Sequence, residues 1–446
     1  MPVAPPPAAP APSPGLDEVE AFLCAAVAAL TPAAPAAGAR GPGRPAVLPA
    51  MCLWAGLLVC VLRGFGSHLA LWRLLSGRGL WRFPRAAISD QAVYHRLARD
   101  GTAPLERLFA QLSALLAERL APYAATALAP FAAGVYALDE TTLDRVARLL
   151  PALRGAAGAA LLPGKLAGLF DLRRQQWARV AHQPDPQQNE KVAARGMVAD
   201  LPPGSLLLAD LGYFGFQWFD DLTDAALWWA SRLREQTSYA LLHVHYRRGD
   251  TLDALIWLGA HRADRAKHAV RLVQFRHNGT LRRYVTNVTD PALLPMAEIA
   301  RLYARRWDIE LAFKLIKTHL GLHLLWGAKP VVVLQQVWAV LTIAQVLQAL
   351  RLEIAGQAGV DPFEVSLPLL VEYLPFFAAR GLDPVRVVEQ GRALRLIRPS
   401  TRTAVAAPEV PPDELLPRPA DLALTRTPRY AQRRCAKRPA GADLVE

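Results

Sequence analysis

Two apolar runs in this chain each close on an aspartate, GVYALD at 134–139 and SLLLAD at 205–210. Runs this short cannot bury a helical face, which takes roughly 10–12 residues, so both read as buried strands. Each passes into a turn and then a helical pattern. FAAGVYALDETTLDRVARLLPAL (131–153) reads as strand, Thr-rich turn and helix, and KLAGLFDLRRQQWARVAHQ (165–183) as a strand pair. SLLLADLGYFGFQWFDDL (205–222) repeats the order of strand, acid, turn and helix. Such alternation specifies a mixed α/β domain.

The flanking segments differ in kind. Residues 1–46 are rich in Pro, Ala and Gly and are expected to lack a fixed fold, apart from a short helix in LDEVEAFLCAAVAAL. From 47 to 125 the periodicity is helical. Within it, ISDQAVYHRLARDG (88–101) has an N-cap residue at Ser89 and apolar Ala92, Val93 and Leu97. Gln91, Tyr94, His95 and Arg96 fall on the opposite face. That pattern suits a plain amphipathic helix, and equally the recognition helix of a helix-turn-helix unit. Residues 126–227 form the first part of the α/β domain. Residues 228–296 are β-rich with basic faces and read as an insertion. Helical runs at 297–319 and 330–356 complete the domain, a helical region follows over 357–423, and 424–446 reads as a basic, flexible tail.

Composition narrows the function classes. A net charge of +13 favours a polyanionic partner, although charge alone supports only non-specific attraction. The longest apolar candidate identified, 50–61 (AMCLWAGLLVCV), is shorter than the ~20 residues a spanning helix needs. With no basic n-region at the start, the chain is expected to be cytoplasmic and free of membrane. Cys24, Cys52, Cys60 and Cys435 are scattered without a CxxC pair, so neither a zinc site nor a disulfide framework is expected. His243 and His245 alternate on a predicted strand and read as basic-face residues.

Phosphodiester chemistry needs charge stabilised on the attacking and the leaving oxygen, which two hard cations about 3.5–4 Å apart can supply. Such cations take carboxylate oxygens, and strand ends aim carboxylates rigidly. Asp139 and Asp210 sit where that chemistry would want them. Taken singly, each serves as well as a helix N-cap, the commoner use of Asp after a strand. Glu140 and Asp144 lie close to Asp139, and local sequence does not choose among the three.

A third acid comes from LYARRWDIELAFKLIK (302–317). At about 100° per residue, Tyr303, Arg306, Glu310 and Lys317 fall within roughly a 60° arc of one helical face. Leu302, Ile309, Phe313, Ile316 and Leu320 form an apolar stripe beside it. Arg306–Glu310 and Glu310–Lys314 pairs explain the charges as an i,i+4 ladder, but not the tyrosine or the distant lysine. On this projection Asp308 points away from the arc and should tolerate substitution.

The spacing Y-x2-R-x3-E-x6-K at Tyr303, Arg306, Glu310 and Lys317 resembles the signature of the DDE transposases of bacterial insertion sequences. Trp307, Ile309 and Phe313 resemble the flanking context. The D-x-T of Asp139–Thr141 and the D-x-G-Y of Asp210–Tyr213 resemble the blocks around that family's first two catalytic aspartates. The resemblance covers about residues 47–355. It implies a ribonuclease-H-like catalytic domain interrupted by a β insertion, with helical N-terminal and C-terminal regions.

Carried over by position, Asp139, Asp210 and Glu310 would be the catalytic, metal-binding triad, taking two Mg2+ ions, with Mn2+ as a substitute. Tyr303, Arg306 and Lys317 would bind DNA phosphates, and Glu140 and Asp144 become bystanders. Gln91, Tyr94 and Arg96 are the candidate contacts to DNA from the N-terminal region. The implied partners are double-stranded DNA at transposon ends, target DNA, and a second copy of the chain when DNA is bound. Trp228, Trp229 and Trp257 are candidates to stack a flipped base, each set against an ordinary place in the core. Leu211 stands where the family often has a basic residue. The competing readings are a catalytically silent DNA-binding derivative of such an enzyme and an unrelated membrane-associated helical protein.

Overall fold

The computed structural model describes residues 48–80, 85–143, 164–185, 188–259, 264–322, 325–327, 329–379, 383, 385–386, 388–400 and 405–430. The Pro/Ala-rich extension 1–46, the helix expected after Leu143 and the tail from 431 lie outside them. In chain order the elements are α1 (Ala50–Leu62), α2 (His68–Arg73), α3 (Asp90–Asp100), α4 (Ala103–Arg119), β1 (Val135–Thr142), β2 (Lys165–Asp171), β3 (Gln176–Gln183) and α5 (Glu190–Val198). β4 (Leu206–Ala209), α6 (Phe216–Asp224), β5 (Trp228–Arg232), β6 (Tyr239–Arg248), β7 (Thr251–Leu258), β8 (Val270–His277) and β9 (Thr280–Thr286) follow. Then come α7 (Met296–Arg305), α8 (Asp308–Lys314), α9 (Pro330–Ala358), α10 (Leu367–Ala379) and α11 (Val388–Gly391). The class is mixed α/β, as expected.

The chain divides into two units, the first of residues 1–126, 137–197 and 307–403, the second of 127–136, 198–306 and 404–446. The division falls inside β1 and again at Arg306/Trp307. The helical region 47–125 therefore belongs to the first unit rather than forming one of its own.

In the first unit the strands run β3-β2-β1, and β2 and β3 pair antiparallel as a hairpin. The core helix is α9, packed on α1, α3, α4 and β3. This helix, rather than 50–61, is long and apolar enough to cross a membrane, and 78% of its apolar window is buried within the protein. Its buried polar side chains show why it is a core element. Gln335 donates to the carbonyls of Leu97 (2.8 Å) and Gly101 (2.6 Å), satisfying orphan acceptors at the end of α3. The Gln345 side chain accepts from the Trp177 backbone N–H (2.9 Å) and donates to the Trp177 carbonyl (3.0 Å), joining the helix to β3.

In the second unit the strands run β4-β5-β9-β8-β7-β6. β4 and β5 are parallel, and the remaining neighbours pair antiparallel. The β8–β9 hairpin turns through Asn278 (φ 50°) and Gly279 (φ 74°), the positive-φ pair that matches strand twist. Residues 405–423, expected to be helical, form no α-helix. Pro408, Pro411, Pro412, Pro417 and Pro419 remove the donors that a helix would need. Residues 425–430, expected within a flexible tail, are instead tied down. Arg265 and Arg429 exchange backbone hydrogen bonds, and Tyr430 donates its hydroxyl to Asp220 (2.9 Å).

The same strap corrects the reading of His245. This residue is 2% exposed, and its Nδ1 lies 2.9 Å from the Leu416 carbonyl. Burial lowers its pKa below the usual 6.5; the Leu416 hydrogen bond and Asp253 oppose the shift, and His243 and Arg271 add to it. The folded chain therefore resists a proton that the unfolded chain accepts. The stability contribution is intact above about 6.5 and is lost as pH falls below it. The urea midpoint should drop on acidification more steeply for the wild type than for His245→Asn; equal pH slopes would remove His245 as the cause.

Candidate active site

Asp139 does not end its strand. β1 continues to Thr142, so an N-cap role is absent, and one Asp139 carboxylate oxygen accepts from the Glu140 backbone N–H at 2.8 Å. Glu140 forms an ion pair with Lys165 at 3.3 Å, and Lys165 also donates to the Gln188 carbonyl. Burial raises the Glu140 pKa, with Lys165 opposing. Thr141, two residues beyond Asp139 and on the same side of the strand, accepts a 2.6 Å hydrogen bond from the Lys317 ammonium. The first unit thus joins the residue after next from Asp139 to the last member of the Y-R-E-K spacing.

Glu310 sits half-buried in the first turn of α8. Gly168 on β2 is what lets this helix come close. A Cβ there would lie 2.4 Å from Trp177 and 3.1 Å from Phe313, whose rings pack at 4.8 Å. The helix is anchored at its start by Asp308, which is 2% exposed. Its carboxylate accepts from the Gln175 side-chain amide N–H at 2.9 Å, and the Gln175 side-chain oxygen Oε1 accepts from Arg351 at 2.8 Å.

This overturns the expectation that Asp308 tolerates change. The projection assumed one continuous helix. The segment is instead α7, a break at Arg306–Trp307, α8, and a wider π turn over Leu315–His319. Arg306 and Glu310 each bond three residues back, tightening the junction, whereas Leu320 bonds five back to Leu315. The wider turn over Leu315–His319 departs from the 100° step of the projection, and Lys317 lies within it. Asp308→Ala should cost about 1–3 kcal/mol by stranding a buried amide donor, whereas Glu310→Ala should leave the thermal midpoint nearly unchanged. Equal midpoints for the two variants would dismiss the anchor.

Asp210 directly follows β4. It occupies the N-cap position of a short 3-10 turn over Leu211–Tyr213, but its side chain makes no capping bond. Its carboxylate is therefore not spent on the commoner use of such an aspartate. In the same unit Tyr303 is buried, 8% exposed, and its hydroxyl donates to the carbonyl of Ala209, next to Asp210, at 3.3 Å. Burial raises the hydroxyl pKa above the usual 10; Arg306 and Arg232 lower it, and Asp210 and Tyr284 raise it. The Arg306 guanidinium, also buried, lies 6.0 Å from the Tyr303 ring.

Of the candidate DNA contacts on α3, Gln91 is exposed. Arg96 is engaged by Asp100 (2.7 Å) and by the Leu48 carbonyl (3.0 Å). Tyr94 packs near His68 (ring centroids 5.1 Å apart) with the Lys329 ammonium 5.4 Å from its ring. Ser89 caps the helix as read, accepting from Ala92 N–H. Among the tryptophans, Trp229 is a core residue stacked on Phe219 at 4.0 Å. Trp257 has Arg426 over its face at 4.6 Å, and Trp228 meets Phe131 edge-on at 6.3 Å.

Asp139 and Glu310 belong to the first unit and Asp210 to the second. Carboxylate oxygens are the right donors for a hard divalent cation, so the chemistry of the set fits one. Among the described residues no three His, Cys, Asp or Glu side chains form a ready-made metal group. A cavity of about 760 Å3 in the second unit, lined by His245, Asp253, Arg271 and the strap around Leu416, includes none of the candidate residues.

Residues 137–346 match the family model described as the transposase DDE domain. That span holds Asp139, Asp210, Tyr303, Arg306, Glu310 and Lys317, and it leaves out α3. The match supports a DDE transposase and, with it, an enzyme that acts on DNA. No curated protein matches the chain.

Proposed function

We propose that the protein is the DNA transposase of a bacterial insertion sequence, working by cut-and-paste transposition in the cytoplasm as a DNA-bound homodimer. It would bind the terminal inverted repeats, cleave the DNA strands at the element's ends and join them to target DNA. The observation that carries this reading is the family match over 137–346, which contains all three acids in the order D, D, E. The strands of β5–β9 between Asp210 and Glu310 agree in position with a β insertion in a ribonuclease-H-like domain.

Asp139, Asp210 and Glu310 would hold the divalent cations, two Mg2+ with Mn2+ as a substitute. Such ions supply an activated water and neutralise charge building on the phosphate. The chain's own residues do the rest. Arg306 offers a planar guanidinium suited to bidentate phosphate contact, and Lys317 a point charge. Tyr303, a candidate phosphate contact, donates its hydroxyl to the Ala209 carbonyl and would brace the strand end that carries Asp210. Gly168 and Asp308 keep α8 seated, and with it Glu310.

The test uses purified full-length protein, Mg2+ and a duplex carrying the imperfect inverted repeat that flanks the coding region. Cleavage at the boundary of the repeat is the expected result. Binding without cleavage would favour the silent DNA-binding derivative. A protein that neither binds nor cuts its own flanking DNA would not be a transposase of that element.

A further inference from the structure

Several cations of the second unit are paired internally. Arg271 is locked to Asp253, Arg276 to Asp250, Lys267 to Asp224 and Arg301 to Glu298. Arg426 is taken up by the carbonyls of Ala266 and Leu258. Other exposed arginines are not paired among the described residues, Arg247, Arg248 and Arg418 among them, and two stand beside Asp210. Arg232 and Arg234 form no ion pair with a carboxylate among the described residues.

Their position is specific. In the parallel β4–β5 pair, Ala209 is in register with Ser231, so Asp210 and Arg232 leave adjacent strands at the same end. Arg232 closes β5 and acts electrostatically on the Tyr303 hydroxyl, as Asp210 does. Arg234, two residues on, reaches back to the loop after Asp210. One of its terminal nitrogens donates to the Leu211 carbonyl at 3.1 Å, and its guanidinium lies 5.3 Å from the centre of the buried Phe214 ring. Those two contacts orient the group. An arginine has five N–H donors in a fixed fork, and the Leu211 carbonyl takes one of them.

From this arrangement we infer that Arg232 and Arg234 form a phosphate-binding pair beside Asp210, supplied by β5 and the segment after it. The ligand is a backbone phosphate of the DNA strand that Asp210 addresses, so the inference rests on the proposed function. The position after Asp210 carries no cation of its own, since residue 211 is leucine. Arg234 brings one there through space, 23 residues later in the chain. Guanidinium suits the task, being weakly hydrated, always charged and matched to phosphate oxygens.

The test measures binding of the end duplex to the full chain across a salt series, with Arg234→Ala, Arg232→Ala and Arg234→Lys beside the wild type. Each alanine variant should lower the slope of log K against log salt by about 0.9, as expected when one phosphate contact to B-DNA is lost. Arg234→Lys should keep most of the slope, because the charge remains. Arg418→Ala, an exposed arginine on the strap, should leave the slope unchanged. Thermal midpoints measured in parallel separate a folding role. An Arg234→Ala variant with a lower midpoint but the wild-type salt slope would overturn the inference, as would an equal slope loss in Arg418→Ala. If the wild type does not bind the duplex, the proposed function fails first and takes this inference with it.

Discussion

Asp210→Ala should bind the element's end with near-wild-type affinity and salt dependence, yet cut it at least about 10³-fold more slowly. The size follows from the role, since polarisation by a bound cation is worth several kcal/mol and each ~1.4 kcal/mol is tenfold in rate. The variant should also fold, because the Asp210 carboxylate is half-buried and caps nothing. Asp210→Asn sharpens the experiment by keeping the shape and removing the charge. Cleavage that persists in both variants would sink the assignment of Asp210 to the triad. Asp308→Ala is the useful contrast, since its defect should appear in the thermal midpoint before it appears in strand cleavage.

The largest stability effect is expected at the Arg271–Asp253 pair. Both residues are almost wholly buried, at 0% and 1% exposed. Arg271 Nε donates to Asp253 at 2.7 Å, its Nη2 donates to the other carboxylate oxygen, and its Nη1 donates to the Leu294 carbonyl at 2.6 Å. The pair crosses between β7 and β8, where Asp253 and Val273 are in register. Asp253→Ala would leave a guanidinium buried without its counter-ion, a loss of about 3–5 kcal/mol in comparable pairs. Urea unfolding followed by tryptophan fluorescence should show it. The double variant Asp253→Leu with Arg271→Met should lose much less, because removing both charges together removes the desolvation cost. A single variant as stable as the double would mean that the pair is solvated and of little account.

The two predictions separate two kinds of acid that look alike in a sequence. Asp210 and Asp253 both lie at or on strands of the second unit. One leaves its carboxylate uncapped at a strand end, and the other is consumed by a neighbour on the next strand. Nothing within a few residues of Asp253 announces Arg271, which lies 18 positions later.

Local pattern was enough for several elements. The apolar runs before Asp139 and Asp210 predicted β1 and β4, the 165–183 pattern predicted the β2–β3 hairpin, and Ser89 predicted the start of α3. These are decided by a few neighbours, through strand alternation and the supply of a capping oxygen. The order of the carboxylates and the Y-R-E-K spacing were likewise legible, since spacing is a property of the chain and not of its packing.

What escaped the sequence depends on residues far apart meeting. The burial of Asp308 involves Gln175, 133 positions earlier. Gln175 itself holds a left-handed conformation at φ 55°. A helical wheel registers neither, because it places side chains by rotation and not by the partners they meet. The apolar helix α9 reads by composition as a candidate membrane span, and only the partners of Gln335 and Gln345 make it the core of the first unit. His245 read as a basic-face residue until the strap supplied the Leu416 carbonyl. The sequence alone determined which residues could do the chemistry and in what order they come. The tertiary structure decided which charges stay exposed and which are spent holding the fold, because that choice is made by desolvation and by partners the chain brings from a distance.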